Sequence, residues 1–422
     1  MALTFSTALT GLRANAESLN TTGNNIANSN TTAYKTSSAN FADLFHDSFN
    51  APLNGAGLAL QQGAGVRAAG IAVNFSQGTL SESGSALNAG IQGNGYFVLS
   101  SESGAQSYTR AGDFTLDREG YLVTPGGQKV QGYPATGGVI PPDAAPTSIK
   151  APLGEFIAPS ATSKAAFRMN LSAKDAVDSE FHSQVQIYDS KGVAHTLDLL
   201  YTKTGDGAYT VTATVDGNEA QLSLDGGGGG TSADLTFDEN GQLTAPETLA
   251  VIADPTTLNG ATMPDIDIAL YTLNPDGTNG PGLITNYNAT SAVAATEQNG
   301  FSSGTLAGLS FSASGNGDVV AVYNNGQTSV VGRLAVATFN SQDGLRQLGG
   351  NMFGETTTSG PPSIGAATTG GRGAVVGGVL EQSNVDIATE FTDLIIAQRG
   401  FQANSRVINT INQTLQDLIQ IV

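Results

Sequence analysis

Residues 383–422, SNVDIATEFTDLIIAQRGFQANSRVINTINQTLQDLIQIV, decide how the rest of the chain is read. Taken at alternating steps of three and four, the stretch gives Leu394, Ala397, Phe401, Asn404, Ile408, Ile411, Leu415, Leu418 and Val422. Eight of these nine positions are apolar, which is the seam of a coiled coil rather than of a loosely amphipathic helix. Ser383 or Asn384 is expected to cap its start, with Asp386 in the first turn, where the helix dipole favours an anion. No glycine or proline follows Gly400. Such a helix would extend roughly 55 Å at ~1.5 Å per residue. The hundred residues before it are rich in glycine and threonine and read as strands, so the helix needs a partner from elsewhere.

The partner suggested by spacing lies at the other end of the chain. Phe5, Leu9, Leu12, Ala16, Leu19, Gly23 and Ile26 repeat the same three-four step, with Gly23 as the weak point. The Asn- and Thr-rich run at 24–32 should terminate this helix, because short polar side chains compete for its backbone hydrogen bonds. Each terminal stripe is one-sided. An ordinary hairpin packed on the globular body and an association with neighbouring subunits both fit that spacing.

Composition supports a β-rich body between the two. The chain has 422 residues, more than one ordinary core, so several domains are expected. Charged residues make up 13%, against a usual ~25%, and there are 54 glycines. Cysteine is absent, which excludes disulfides, thiol nucleophiles and thiolate metal sites. The net charge of −19 is concentrated in the middle. Residues 1–150 carry 7 basic and 9 acidic groups, 151–300 carry 5 and 19, and 301–422 carry 5 and 8. A separate, water-facing acidic block is therefore expected at the centre. With no basic patch, nucleic-acid binding is not expected. No run approaches the ~18 apolar residues of a membrane span, so membrane insertion is not expected either. The N-terminus also shows no signal-peptide pattern.

Read in order, residues 50–66 form a glycine-alanine linker, and strand-like text at 70–75, 91–99, 108–115 and 121–130 is broken by glycine turns. A proline-rich stretch at 140–146 marks a boundary. Beyond it Val185 and Ile187 alternate, a turn follows at 189–192, and Val193, His195, Leu197, Leu199 and Tyr201 share one face. Residues 226–230 should form a flexible turn and 274–290 an exit linker. A later hairpin turns at Asn325-Gly326, between 319–323 and 328–337. The expected fold class is multidomain and mainly β, with long terminal α-helices, a discontinuous β domain and an inserted acidic β domain. The expected boundaries are 1–30 with 384–422 for the terminal coiled-coil helices and 31–65 with 365–383 for connecting segments. The middle β domain takes 66–146 with 292–364, and the acidic β domain takes 147–291.

Sites for chemistry are sparse. His46, His182 and His195 have no metal-ligand spacing, and His195 reads as a structural histidine on the apolar face of a strand. Asp265 and Asp267 lack the surrounding pattern of a calcium loop and read as solvated strand-edge carboxylates. Gly93-Asn94-Gly95 lacks the third glycine of a dinucleotide site, and no phosphate loop or nucleophile elbow is present. No enzymatic activity, metal or cofactor is expected. A pair of carboxylates suited to glycoside hydrolysis remains an open alternative at this stage, since their separation is not written in sequence.

Longer motifs are more informative. LNTTGNNIANSNTTAYK, residues 19–35, closely resembles the N-terminal signature of the bacterial flagellar axial proteins, the rod and hook subunits. Its matching positions are Asn24, Asn25, Ile26, Ala27, Asn28, Tyr34 and Lys35. SNVDIATEFTDLIIAQRGFQANSRVI, residues 383–408, resembles the C-terminal signature of that family at Ser383, Asn384, Val385, Gln398 and Arg399. Residues 75–99 and 108–135 are similar to the family's shared β domain. Residues 185–203, 235–243 and 299–339 resemble the hook branch, which carries an outer domain that rod subunits lack. Two positions depart from the pattern: Ala33 stands where the family usually has Gly, and Asn88 where it usually has Asp.

The resemblance implies a structural subunit that polymerises into the curved, flexible tube transmitting torque from rod to filament. It also implies export through the flagellar type III apparatus without a cleaved signal, and an extracellular place in the hook. Implied partners are further copies of the chain, the rod, the hook cap, the hook-filament junction and hook-length control proteins. Self-assembly would use Phe5, Leu9, Leu12, Leu19, Ile26, Leu394, Phe401, Asn404, Ile408, Ile411, Leu415, Leu418 and Val422. Asn404, the one polar seam position, would either fix register between subunits or face a wet channel. The alternatives are a distal rod protein or, from another class, a secreted β-domain enzyme acting on polysaccharide, or an adhesin.

Overall fold

The computed structural model describes residues 2–46, 62–224, 229–253, 260–273 and 279–421. Most of the expected linker at 50–66, part of the turn at 226–230, the start of the segment at 274–290, and Val422 lie outside the described residues. The chain is mainly β, closed by helix α1 (Ala2–Ala27) at one end and helix α2 (Ile387–Ile421) at the other. It folds into two compact units, one of residues 1–153, 309–321 and 329–422, the other of residues 154–308 and 322–328.

In the first unit, strands from both halves of the sequence interleave. Strand Thr328–Thr338 pairs antiparallel with Lys129–Pro134, with Tyr96–Ser100 and with Ser363–Ala366. Likewise Leu80–Glu82 pairs with Val379–Glu381, and Ala89–Gln92 pairs with Ala374–Gly377. The unit therefore cannot close until both halves are present. Its aromatic centre is Tyr96, Tyr108, Phe339 and Phe353, with Tyr108 and Phe339 edge to face at 4.8 Å. Such pairs add about 0.5–1.5 kcal/mol beyond their buried area. The single strand expected over 91–99 is two strands. Gly93 and Gly95 take φ of 101° and 136°, and a side chain at Gly95 would collide with Val336. A strand broken by glycine for close backbone approach reads as continuous in sequence.

Strands Ser37–His46 and Gln62–Val73 form a separate antiparallel ribbon that also belongs to this unit. Thr10 of α1 accepts a hydrogen bond from the Val66 amide through its Oγ1. A lone two-stranded ribbon is marginal in water, so its contact with α1 supports both.

The second unit is a β structure with its own large core. Leu197, Leu199 and Tyr201 point inward from strand Ala194–Gly205, and Tyr209, Val211, Ala213 and Val215 from the neighbouring Ala208–Val215. The alternation expected from sequence is present, except that Val193 lies in the turn and is exposed. The turn at Asn325-Gly326 also forms, with the Tyr323 amide donating to the Gln327 carbonyl and φ of 79° at Gly326.

Candidate functional site

Helices α1 and α2 run antiparallel. Asn404 lies over Gly11, Gly400 lies against Asn15, and Asn25 Nδ2 donates to Glu390 Oε1 at 3.0 Å. The bulk of the apolar stripe expected on α1 is not the face that meets α2. Gly11, Asn15 and Asn25 form that face, and the stripe of Leu9, Leu12, Leu19 and Ile26 lies roughly 110° around the helix at ~100° per residue. Those four residues are partly buried, and Phe5 is exposed. On α2 the expected seam does face α1. Ala397 is buried, and Leu394, Phe401, Asn404, Ile408 and Ile411 are partly buried. Leu415 is exposed, and the side chain of Leu418 lies outside the described residues. A second stripe on α2, Ile387, Phe391 and Ile395, is about half exposed (47%, 50% and 50%) at i, i+4 spacing. Among the described residues, nothing covers their exposed halves.

Below the helices, the signature residues bolt the two chain ends to the β unit. Asn25 is 1% exposed and uses its whole amide. Its Nδ2 donates to the Ser37 carbonyl at 2.8 Å and to Glu390, and its Oδ1 accepts from Tyr34 Oη at 3.1 Å and from the Ser37 amide at 3.0 Å. Asn28 ties back to Asn24 through Nδ2, and Ala27 is the last residue of α1. Asn384 does the same work for the other end. Its Oδ1 accepts from the Thr36 amide, and its Nδ2 donates to the carbonyls of Asn74 and Ser76. It therefore does not cap α2. Asp386 does, accepting from the Thr389 amide at 3.0 Å, while Ser383 Oγ accepts from the Val385 amide. Val385 is partly buried, and Gln398 and Arg399 are exposed on α2.

At the centre of the bolt is a charge cluster that the sequence did not announce. Glu381 is fully buried and accepts from Lys35 Nζ at 2.5 Å, Arg110 Nη1 at 3.2 Å and the Gly78 amide at 2.9 Å. Lys35 is buried too and also donates to the Ser76 carbonyl at 2.7 Å. Arg110 donates to the Gly93 carbonyl and stands 5.3 Å from the centre of the Tyr96 ring. Burial lowers the Lys35 pKa; the hydrogen bond and charge of Glu381 oppose it, and the charge of Arg110 adds to it. Glu390 is pushed upward by burial against the opposing hydrogen bond from Asn25. Two cations thus share one carboxylate away from water. The residues involved are 35, 110 and 381, so the cluster closes only when N-terminal, middle and C-terminal segments meet.

At Ala33 the backbone takes a form that favours the glycine of the family pattern. Ala33 has a φ of 57°, its side chain is buried, and its amide donates to the Glu381 carbonyl at 2.8 Å. Left-handed backbone at this turn suits glycine. Asn88 donates from Nδ2 to Ser83 Oγ and accepts from the Gly378 amide at its carbonyl.

The histidines make no site together. His182 pairs with Asp198 on an exposed face, and the side chain of His46 lies outside the described residues. His195 is held between Asp216 at 2.7 Å and Asp189 at 3.4 Å. Asp265 and Asp267 are exposed. Among the described residues, no group of three acidic or histidine side chains could hold a metal ion, and no helix is long and apolar enough to cross a membrane.

A helical hairpin made from the two ends of a chain, bolted to a discontinuous β unit, is the layout of an axial subunit of the flagellum. Family models agree segment by segment. Residues 5–35 match a flagella basal body rod protein model, and 376–421 match the C-terminal model of flagellar basal body rod FlgEFG proteins. Residues 90–154 match the D1 domain of flagellar hook protein FlgE/F/G, and 158–301 the D2 domain of flagellar basal body protein FlaE. The flagellar hook protein FlgE of Salmonella typhimurium is 33% identical over 433 residues, covering 99% of this chain and 100% of that protein. The Escherichia coli protein of the same name is 32% identical with the same coverage, and that of Treponema pallidum 30% with 98% of each. The crystal structure of Helicobacter pylori flagellar hook protein FlgE2 aligns with a TM-score of 0.49 at 14% identity, covering 72% of this chain and 99% of that one. The chain belongs to the flagellar hook protein family.

Proposed function

We propose that this chain is the structural subunit of a flagellar hook, polymerising into a curved tube that carries torque from rod to filament. The observation that carries the reading is the terminal hairpin. It is fixed to the body by a buried charge cluster, yet Ile387, Phe391 and Ile395 present an apolar stripe that stays about half exposed among the described residues. Burying such a stripe is worth roughly 25 cal/mol per Å², and the hairpins of neighbouring copies are its natural cover. Phe5, Leu9, Leu12, Leu19 and Ile26 add a second partly open stripe on α1. The assembly positions expected from sequence are thus shared between contacts within one chain and contacts between copies.

The domain division proposed is terminal helices inside the tube, the β unit of residues 66–146 and 292–364 around them, and residues 147–291 outermost, with the outer boundary carried on to about residue 308 because strand Ala292–Gln298 pairs with Lys164–Asn170 in the second unit. A block with net charge −14 over 151–300 suits small, wet, exchangeable contacts that slide as the tube bends. The chain acts as a structural element and catalyses nothing. Rod, hook cap, hook-filament junction and length-control proteins are its further partners, and it leaves the cell through the flagellar type III apparatus. Electron microscopy of the purified full-length chain tests the core of this reading. Hollow tubes of regular diameter are expected, and monomers that never assemble at any concentration or ionic strength would refute it.

A further inference from the structure

The two helices of the hairpin carry the same short pattern, glycine and asparagine four residues apart, and they meet in opposite directions. Gly11 and Asn15 on α1 stand against Asn404 and Gly400 on α2. A methyl group at Gly11 would lie 2.8 Å from Asn404 Nδ2, and one at Gly400 would lie 2.9 Å from Asn15 Cγ. Each asparagine therefore occupies the space left by the other helix's missing side chain. The two halves are coupled, because Asn15 Nδ2 donates to the Gly11 carbonyl at 2.7 Å and cannot swing away freely. Further along the same face, Asn25 bonds Glu390. In all three pairs the residue numbers add to one constant, so a single register runs the length of the contact.

We infer that Gly11, Asn15, Gly400 and Asn404 form a reciprocal lock that selects one register of α1 against α2, and that tube formation depends on this lock. The physical reason is that an apolar stripe specifies register weakly. Leucine and isoleucine knobs repeat every turn, so a slip by one heptad costs little. A polar side chain seated over a bare glycine backbone has one place to go, and a slip by seven residues would set Asn15 against Asp393 or Val407 in place of Gly400. Asn404 thereby has a role inside the chain. The inference rests on the hook reading, since it is polymerisation that the lock serves.

Glycine-to-alanine exchange provides a clean test, because it favours an isolated helix. A loss of assembly in such a variant cannot come from a weaker helix. The control is Gly23→Ala, since Gly23 has nothing within 4 Å of where its side chain would sit. Full-length wild type, Gly23→Ala, Asn15→Ala, Gly400→Ala and Gly400→Ala with Asn15→Ala would be compared by sedimentation and electron microscopy. Circular dichroism and melting of the β units would confirm that each folds. Wild type and Gly23→Ala should assemble alike, Gly400→Ala should lose at least tenfold in polymerised fraction, and the added Asn15→Ala should restore most of it. Assembly of Gly400→Ala at the wild-type level would overturn the lock, as would a failure of Asn15→Ala to relieve it while Asn15→Ala alone assembles. A wild-type chain that forms no tubes would instead overturn the hook reading, so the two failures are distinguishable.

Discussion

Replacing Glu381 by Gln should expose how the buried cluster holds the two chain ends. The side chain keeps its size and can still accept the Gly78 amide, but Lys35 and Arg110 are left as two buried cations without a counter-charge. Breaking a buried pair in this way costs about 3–5 kcal/mol. An independent ceiling comes from Lys35, which can escape by losing its proton. From an ordinary value of about 10.4, deprotonation at pH 7.5 costs about 4 kcal/mol, which bounds the share of the loss carried by Lys35, while Arg110 keeps its charge. The sign with pH then follows. Lys35 would be neutral in the folded variant and protonated when unfolded, so the unfolded state binds the extra proton and stability rises with pH. The variant should recover about 1.4 kcal/mol per pH unit between 7.5 and 10 relative to wild type. Lys35→Met should cost far less, about 1–2 kcal/mol, because it leaves one cation on one carboxylate. Urea unfolding of the free chain, followed by near-ultraviolet circular dichroism of Tyr96 and Tyr108, reads all three quantities. If Glu381→Gln unfolds within 1 kcal/mol of Lys35→Met, or shows no recovery at high pH, the charge count offered for the cluster is wrong.

Ala33→Gly should stabilise the chain by up to about 1 kcal/mol, the left-handed cost of alanine less the extra freedom of glycine, measured as a raised urea midpoint. His195 supplies a pH signature in the second unit. Burial opposes its charge, but the hydrogen bonds and charges of Asp216 and Asp189 outweigh it and raise its pKa. The stability it contributes is fully present below about pH 6.5 and is lost as pH rises through the raised folded value. Melting of that unit should therefore fall on going to mildly alkaline pH, and His195→Gln should flatten the profile. Helices of this length are marginal alone in water, so proteolysis of the free monomer should trim residues 1–30 and 385–422 first; uniform resistance would count against that. Deleting residues 151–290 should leave assembly intact and give straighter, stiffer tubes by electron microscopy, whereas normally curved hooks would remove the bending role given to the acidic block.

The helices, the β class and the nested order were legible because they rest on period and composition, which a sequence displays directly. The three-four step of α2 and the turn at Asn325-Gly326 are local facts. What was not legible depends on closure over long separations. Glu381 meets Lys35 across 346 positions and Arg110 across 271, and nothing local marks the three as partners. The only hint was that each is a lone charge within strand-like or small-residue text in a chain poor in charges. The α1 face was misleading for a different reason. Periodicity finds the apolar stripe, but the contact with α2 uses Gly11, Asn15 and Asn25, which a hydropathy reading passes over.

That inversion has a physical logic. A subunit that must fold as one chain and then join many copies needs two kinds of contact that do not compete. Buried amides and charges such as Asn25, Asn384 and Glu381 are directional, and leaving them unpaired is costly. They therefore discriminate strongly between the native partner and any substitute, which suits contacts made once, within the chain. Apolar stripes such as Ile387, Phe391 and Ile395 are tolerant of direction and of small shifts in position. That suits contacts between copies in a tube that bends as it turns, as proposed for this chain. Had the leucine stripe of α1 been used up against α2, the hairpin would offer its neighbours only the stripe on α2, and the polymer would have lost part of the adhesive surface that best tolerates sliding.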